Sequence, residues 1–174
     1  QQGNAYITDS FNPHILRVDG KTFEMTVWAD LSASIPFNKK NDVAYNLNGI
    51  VISPDQKNLY SVKTNDGTLW KINIETKKVT EVKLAETVTK GDGLVWGKNQ
   101  ELYVIRNYEN KISKINLSSR NKEKPVLTSL RADLIIPTSA VIVNGSLYVV
   151  NSQFDVKVPV PFALTQIPID GLFE

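Results

Sequence analysis

Four times along the chain a tyrosine sits second in a short strand-like run: Ala5-Tyr6, Leu59-Tyr60, Leu102-Tyr103 and Leu147-Tyr148. The last three tyrosines fall 43 and 45 residues apart, and the first gap is 54. A repeat of that length, made of several short strands, marks the blades of a β-propeller, where each unit folds as one four-stranded sheet and stacks on the next. The expected fold is therefore all-β: a partial propeller of about three and a half to four blades. It forms a single domain over 1–174, with blades near 3–42, 43–86, 87–130 and 131–174.

The second unit carries the pattern most fully. Asn48-Gly-Ile-Val-Ile-Ser-Pro54 is an apolar run, Asp55-Gln-Lys-Asn58 turns, and Leu59-Tyr-Ser-Val-Lys63 returns. Asn65-Asp-Gly67 reads as a hairpin, since Asp-Gly suits the positive φ of a type I′ turn. Thr68-Leu-Trp-Lys-Ile-Asn-Ile74 alternates apolar with polar, as a half-buried strand does, and Val79-Thr-Glu-Val-Lys-Leu84 closes the unit. The third unit repeats it from Gly91-Asp-Gly-Leu-Val-Trp96 to Pro125-Val-Leu-Thr128. The fourth runs from Thr138 to Ile169, with Pro168 late in its last strand, where an edge tolerates a missing N–H. The first unit has Ala5–Thr8, His14–Val18 and Phe23–Trp28 but no run ahead of them, so it reads as a blade without its inner strand. Pro-rich Val158-Pro-Val-Pro161 reads as an extended loop segment.

Composition removes several chemistries. The chain has no cysteine and one histidine, His14, which excludes disulfides and thiolate chemistry and leaves almost no room for a histidine-based nucleophile system. With 20 basic and 18 acidic residues, the net charge of +2 gives no basis for nucleic-acid or membrane partners. Lys39-Lys40 and Lys77-Lys78 read as solvated turn lysines, His14 as a surface histidine, and Trp28, Trp70 and Trp96 as packing residues. A cysteine-free chain is compatible with a secreted or periplasmic setting, which is the expectation adopted.

In a propeller the first residues of the inner strands converge on the central axis. Asn48 lies twelve residues before Tyr60 and Asp92 eleven before Tyr103, each followed by glycine and an aliphatic residue; Pro137-Thr-Ser-Ala140 takes that place in the fourth unit. An amide oxygen and a carboxylate from neighbouring blades suit a hard cation, with Ca²⁺ foremost and another divalent metal as the alternative. The competing reading is local: Asn-Gly and Asp-Gly are common turn dipeptides. Arg106 and Asn107 follow the third unit's second strand and are candidates for substrate contact at the channel mouth.

The ordered set Asn48-Gly-Ile-Val-Ile-Ser-Pro-Asp55, Lys90-Gly-Asp-Gly-Leu94 and Pro137-Thr-Ser-Ala140 resembles the SMP-30/gluconolactonase/LRE-like family of six-bladed, calcium-dependent propellers. That resemblance implies metal ligation by Asn48 and Asp92, with Asp92 also the catalytic general base, in a hydrolase acting on a small-molecule lactone or related ester. Two further ligands of that family, a glutamate and a second asparagine, have no counterpart in the chain, so the implied ligand set is incomplete. The alternative is a non-catalytic propeller that binds a ligand or protein. In either case an incomplete ring leaves blade faces bare, and the expected partner is the missing N-terminal half of the propeller or a second copy of the chain.

Overall fold

A computed structural model of the chain describes residues 3–37, 45–118, 123–131, 133–157 and 161–173. Lys39-Lys40 and residues 158–160 lie outside them. The described residues form four antiparallel sheets, in chain order, and one short 3₁₀ turn. The first sheet comprises β1 (Ala5–Thr8), β2 (His14–Val18) and β3 (Met25–Asp30). The second comprises β4 (Leu47–Ile52), β5 (Asn58–Lys63), β6 (Leu69–Asn73) and β7 (Val79–Val82). The third comprises β8 (Gly91–Trp96), β9 (Glu101–Arg106), β10 (Lys111–Asn116) and β11 (Val126–Leu130), and the 3₁₀ turn Asn107–Glu109 follows β9. The fourth comprises β12 (Pro137–Val143), β13 (Ser146–Asn151) and β14 (Leu164–Pro168).

The Leu-Tyr repeat has a direct physical cause. Successive side chains of a strand point to opposite faces, so a central strand between two blades feeds two cores. Leu59 packs with Ile15, Trp28 and Ile72 between the first and second sheets, while Tyr60 packs with Leu94, Leu102 and Val104 between the second and third. Leu102 belongs to that same core, and Tyr103 turns the other way to Ile112, Leu147 and Ile167. Three of the four repeat tyrosines meet an aromatic ring: Tyr6 stands edge-on to Trp28 at 5.1 Å, Tyr60 to Trp96 at 5.3 Å, and Tyr103 lies tilted on Phe173 at 5.9 Å. The three tryptophans are thus packing residues, as expected.

Inner strands β4, β8 and β12 lie side by side, β4 against β8 and β8 against β12. β1 lies against β4 as β5 lies against β8 and β9 against β12. β1 is therefore a second-position strand, and among the described residues the first sheet has no inner strand, as the sequence pattern implied. β14 is the outer strand of the fourth sheet, and Pro168 closes it at that edge.

Two local expectations need correction. The β5–β6 connection is not a type I′ turn: it is a longer loop in which Lys63 N–H donates to Thr68 O, and Gly67 (φ 70°) has positive φ while Asn65 and Asp66 do not. The same loop recurs at Asp19–Glu24 with Phe23 at φ 60° and at Asn73–Lys78 with Lys77 at φ 57°. Phe23 is consequently a loop residue, and β3 starts later, at Met25.

Candidate functional site

Each of the three inner strands breaks register near its start. The shift falls between Leu47 and Ile50 in β4, between Gly91 and Leu94 in β8, and between Pro137 and Ser139 in β12. A bulge leaves a residue unpaired and re-aims its side chain. The residues at these breaks are Asn48, Asp92 and Thr138, and all three line one cavity of about 690 Å³.

Asn48-Gly49 and Asp92-Gly93 are therefore strand residues, and the turn reading fails. Their glycines serve close approach: a Cβ on Gly49 would strike the carbonyl of Asp92, and one on Gly93 would lie 2.6 Å from the carbonyl of Thr138. Hydroxyl groups take up carbonyls at the bulges. Thr8 donates to Asn48 O at 2.5 Å, Ser61 to Gly49 O at 2.9 Å, and Thr64 to Gly91 O at 2.6 Å.

Asp92 is partly buried in an amide cradle. Asn107 Nδ2 donates to Asp92 Oδ2 at 3.2 Å, and the Asn48 side chain also hydrogen-bonds the carboxyl. Burial raises the Asp92 pKa above the usual carboxylate range, against the pull of these two amides. Aspartates of the connections, and Asp30 at the end of β3, behave oppositely. Asp9, Asp19, Asp30 and Asp55 are all held below that range, chiefly by hydrogen bonds from Asn12, Lys21, Ser32 and Ser53 respectively. A solvated turn residue would belong with them; Asp92 does not.

Asn107 reaches the cavity from the 3₁₀ turn. Its N–H donates to Lys90 O at 2.9 Å, and its Oδ1 accepts the Tyr108 N–H at 2.7 Å, which fixes the amide so that Nδ2 faces Asp92. Arg106 is not brought to the cavity. It is 7% exposed, and its guanidinium donates to Thr89 O, Thr89 Oγ1, Ser113 Oγ and, at 2.7 Å, Glu109 Oε2. The reason is that β9 alternates: Arg106 turns away from the cavity, and Asn107, past the strand end and equally buried, turns toward it. Arg106 instead ties the Thr89 segment to the Asn107–Glu109 turn, the two pieces of chain that flank Asp92.

The rest of the lining was not singled out from the sequence: Ser10, Tyr45, Thr64, Lys90, Tyr108 and Phe154. These come from connections, which carry no periodic signal. Thr138 alone could have been found, since it occupies the register place of Asn48 and Asp92. Among the described residues no group of three or more His, Cys, Asp and Glu side chains gathers to hold a metal.

Comparison with solved structures shows the same architecture. The Malassezia sympodialis allergen Mala s 1 matches with a TM-score of 0.69 at 16% identity, over 95% of this chain and 53% of that one. Catalytically inactive virginiamycin B lyase from Staphylococcus aureus matches with a TM-score of 0.62 at 14% identity, over 97% and 67%. A chain of the nidogen/laminin complex matches with a TM-score of 0.58 at 17% identity, over 86% and 51%. The chain thus spans about half the length of the first and last of these. At such identities the likeness shows the fold, a β-propeller-type repeat, and propellers of this shape include both enzymes and binding proteins. No curated protein matches the chain. The profile described as a repeat of unknown function (DUF6923) matches residues 1–152, and the chain belongs to that family.

Proposed function

We propose that the chain is a ligand-binding stretch of propeller whose axial cavity takes a small molecule against Asp92. The observation that carries this reading is the run of three aligned bulges, which turn Asn48, Asp92 and Thr138 into one cavity and leave Asp92 as a carboxyl raised by burial. Concave sites with a few convergent polar groups and a shifted titratable residue are where propellers and other folds bind small molecules.

A second reading, metal-dependent hydrolysis of a lactone or related ester, is favoured by the motif order shared with the SMP-30/gluconolactonase/LRE-like family. A carboxyl raised by burial suits general-base work, and Asn48 and Asp92 would be the ligands of a calcium ion. The donor set falls short of that ion. Calcium takes six to eight oxygens, whereas here one carboxylate is present, the Asn48 amide hydrogen-bonds it, and Asn107 Oδ1 is occupied by Tyr108 N–H.

Amide-detected NMR of the chain with a small-molecule panel, calcium and a δ-lactone separates these readings. The expected result is shifts centred on Asn48, Asp92, Asn107 and Thr138 that Asp92→Asn weakens. Shifts gathered instead at a second cleft, lined by Tyr60, Lys71 and Trp96, would overturn the axial site. Calcium-dependent lactone hydrolysis abolished by Asp92→Asn would establish the second reading over the first.

A further inference from the structure

The strand-borne lining of the axial cavity is polar, and its loop-borne lining adds three aromatic rings to Ser10, Thr64, Lys90 and Asn107. Tyr45, Tyr108 and Phe154 line it and are 45, 53 and 68% exposed. Single exposed aromatics are ordinary. These three reach one cavity from separate connections: the segment before β4, the 3₁₀ turn after β9 and the β13–β14 loop. Two are held in place. The Tyr45 ring packs on Phe11 at 5.6 Å, and Tyr108 is pinned through its N–H to Asn107 Oδ1, the residue that also donates to Asp92.

The ligand that fits must satisfy both sides. Asp92 is the acidic side chain among the described lining residues; as a carboxylate it only accepts, so it selects a donor or a positive charge. Aromatic rings attract the same sign of charge over their faces, and aromatic cages around a cation are the usual means of binding quaternary ammonium groups. A bare metal ion would leave the three rings unused and would meet amides turned with N–H toward Asp92. Lys90 is the basic residue among the described lining; it is exposed, and its backbone carbonyl accepts the Asn107 N–H.

We infer that the cavity takes an organic ammonium ligand, its charged head against Asp92 and its alkyl substituents against Tyr45, Tyr108 and Phe154. This rests on the reading of the cavity as a ligand site, and it names the ligand's chemical class. Burying a positive charge beside Asp92 favours the ionised carboxylate, so the ligand offsets the desolvation of that carboxyl.

The test is titration calorimetry with choline and with 3,3-dimethylbutan-1-ol, a neutral molecule of the same shape, alongside amide-detected NMR. Choline is expected to bind at least about tenfold more tightly than the alcohol, and Asp92→Asn to remove most of that difference. Tyr108→Leu is expected to weaken choline about threefold to thirtyfold. Phe154→Leu, in an exposed loop, supplies a second ring deletion should the first disturb the fold. Equal binding of the two probes, or choline binding untouched by Asp92→Asn, would overturn the ammonium assignment. So would absence of choline binding while other small molecules still shift Asn48, Asp92 and Thr138, and in that case the cavity reading stands. If no small molecule shifts those residues, both fall.

Discussion

Gly49 and Gly93 lie where neighbouring inner strands pass backbone to backbone, and this places Asn48 and Asp92 next to one another on the axis. Gly49→Ala and Gly93→Ala each insert a methyl against a carbonyl and are expected to cost about 1–3 kcal/mol in urea denaturation. Gly145→Ala meets no atom within 4 Å and carries only the strain of φ +78°, so it should cost less. Asp92 gives a prediction of distinct sign. Its folded-state pKa is raised, so the folded chain holds that proton more tightly than the unfolded chain does. Stability therefore falls as pH rises from the unfolded value, about 3.9, through the folded one. Asp92→Asn removes that loss. It should be more stable than the parent at pH 7, with the advantage vanishing below about pH 4 in melts run across pH. The spacing of Asn48 and Asp92 from their tyrosines was legible in the sequence. That they sit in bulges was not, because Asn-Gly and Asp-Gly look the same in a turn and in a strand that must admit its neighbour's backbone.

At the scale of elements, strand existence was readable because a central strand feeding two cores must be apolar on both faces, as Leu59-Tyr60 and Leu102-Tyr103 are. Strand ends and loop types were less so: Phe23 is aromatic and looks like strand, yet it is the left-handed residue of a hairpin loop. Arg106 shows the same limit for function. Its place beside Asn107 suggested a shared role at the channel mouth, but one step along an extended strand reverses the direction of a side chain. Its guanidinium closes a network with Thr89, Glu109 and Ser113, and Glu109 also accepts from Thr89 Oγ1 and Lys111. Arg106→Met should destabilise the chain by about 3 kcal/mol, the lower end for a broken buried pair because Glu109 keeps some solvent. Arg106→Lys should recover only part of this, since an ammonium cannot span the three partners. Both are measurable by thermal or chemical unfolding.

For the molecule as a whole, the two end sheets present bare apolar faces. Ile7, Met25 and Val27 are 41, 61 and 57% exposed on the first, and Val141, Val143 and Leu164 are 54, 44 and 64% exposed on the fourth. The register puts each set on the face away from its packed core, where the inner two sheets have neighbours. The isolated chain is expected to self-associate through these faces. Light scattering should give a mass above that of one chain, and Met25→Lys with Val141→Lys should return it to a monomer. A compact monomer in the parent would contradict this. Repeat length and the place of the first blade were legible at this scale; the cavity was not, since its aromatic wall comes from aperiodic loops. Asp92 is thus a part-buried carboxyl on the propeller axis and not a solvated turn residue. Carboxyl carbon-13 NMR of the aspartates across pH tests this most directly. Asp92 is expected to titrate above the ordinary carboxylate range while Asp9, Asp19, Asp30 and Asp55 titrate below it; an Asp92 that titrates with those four would show a solvated residue instead.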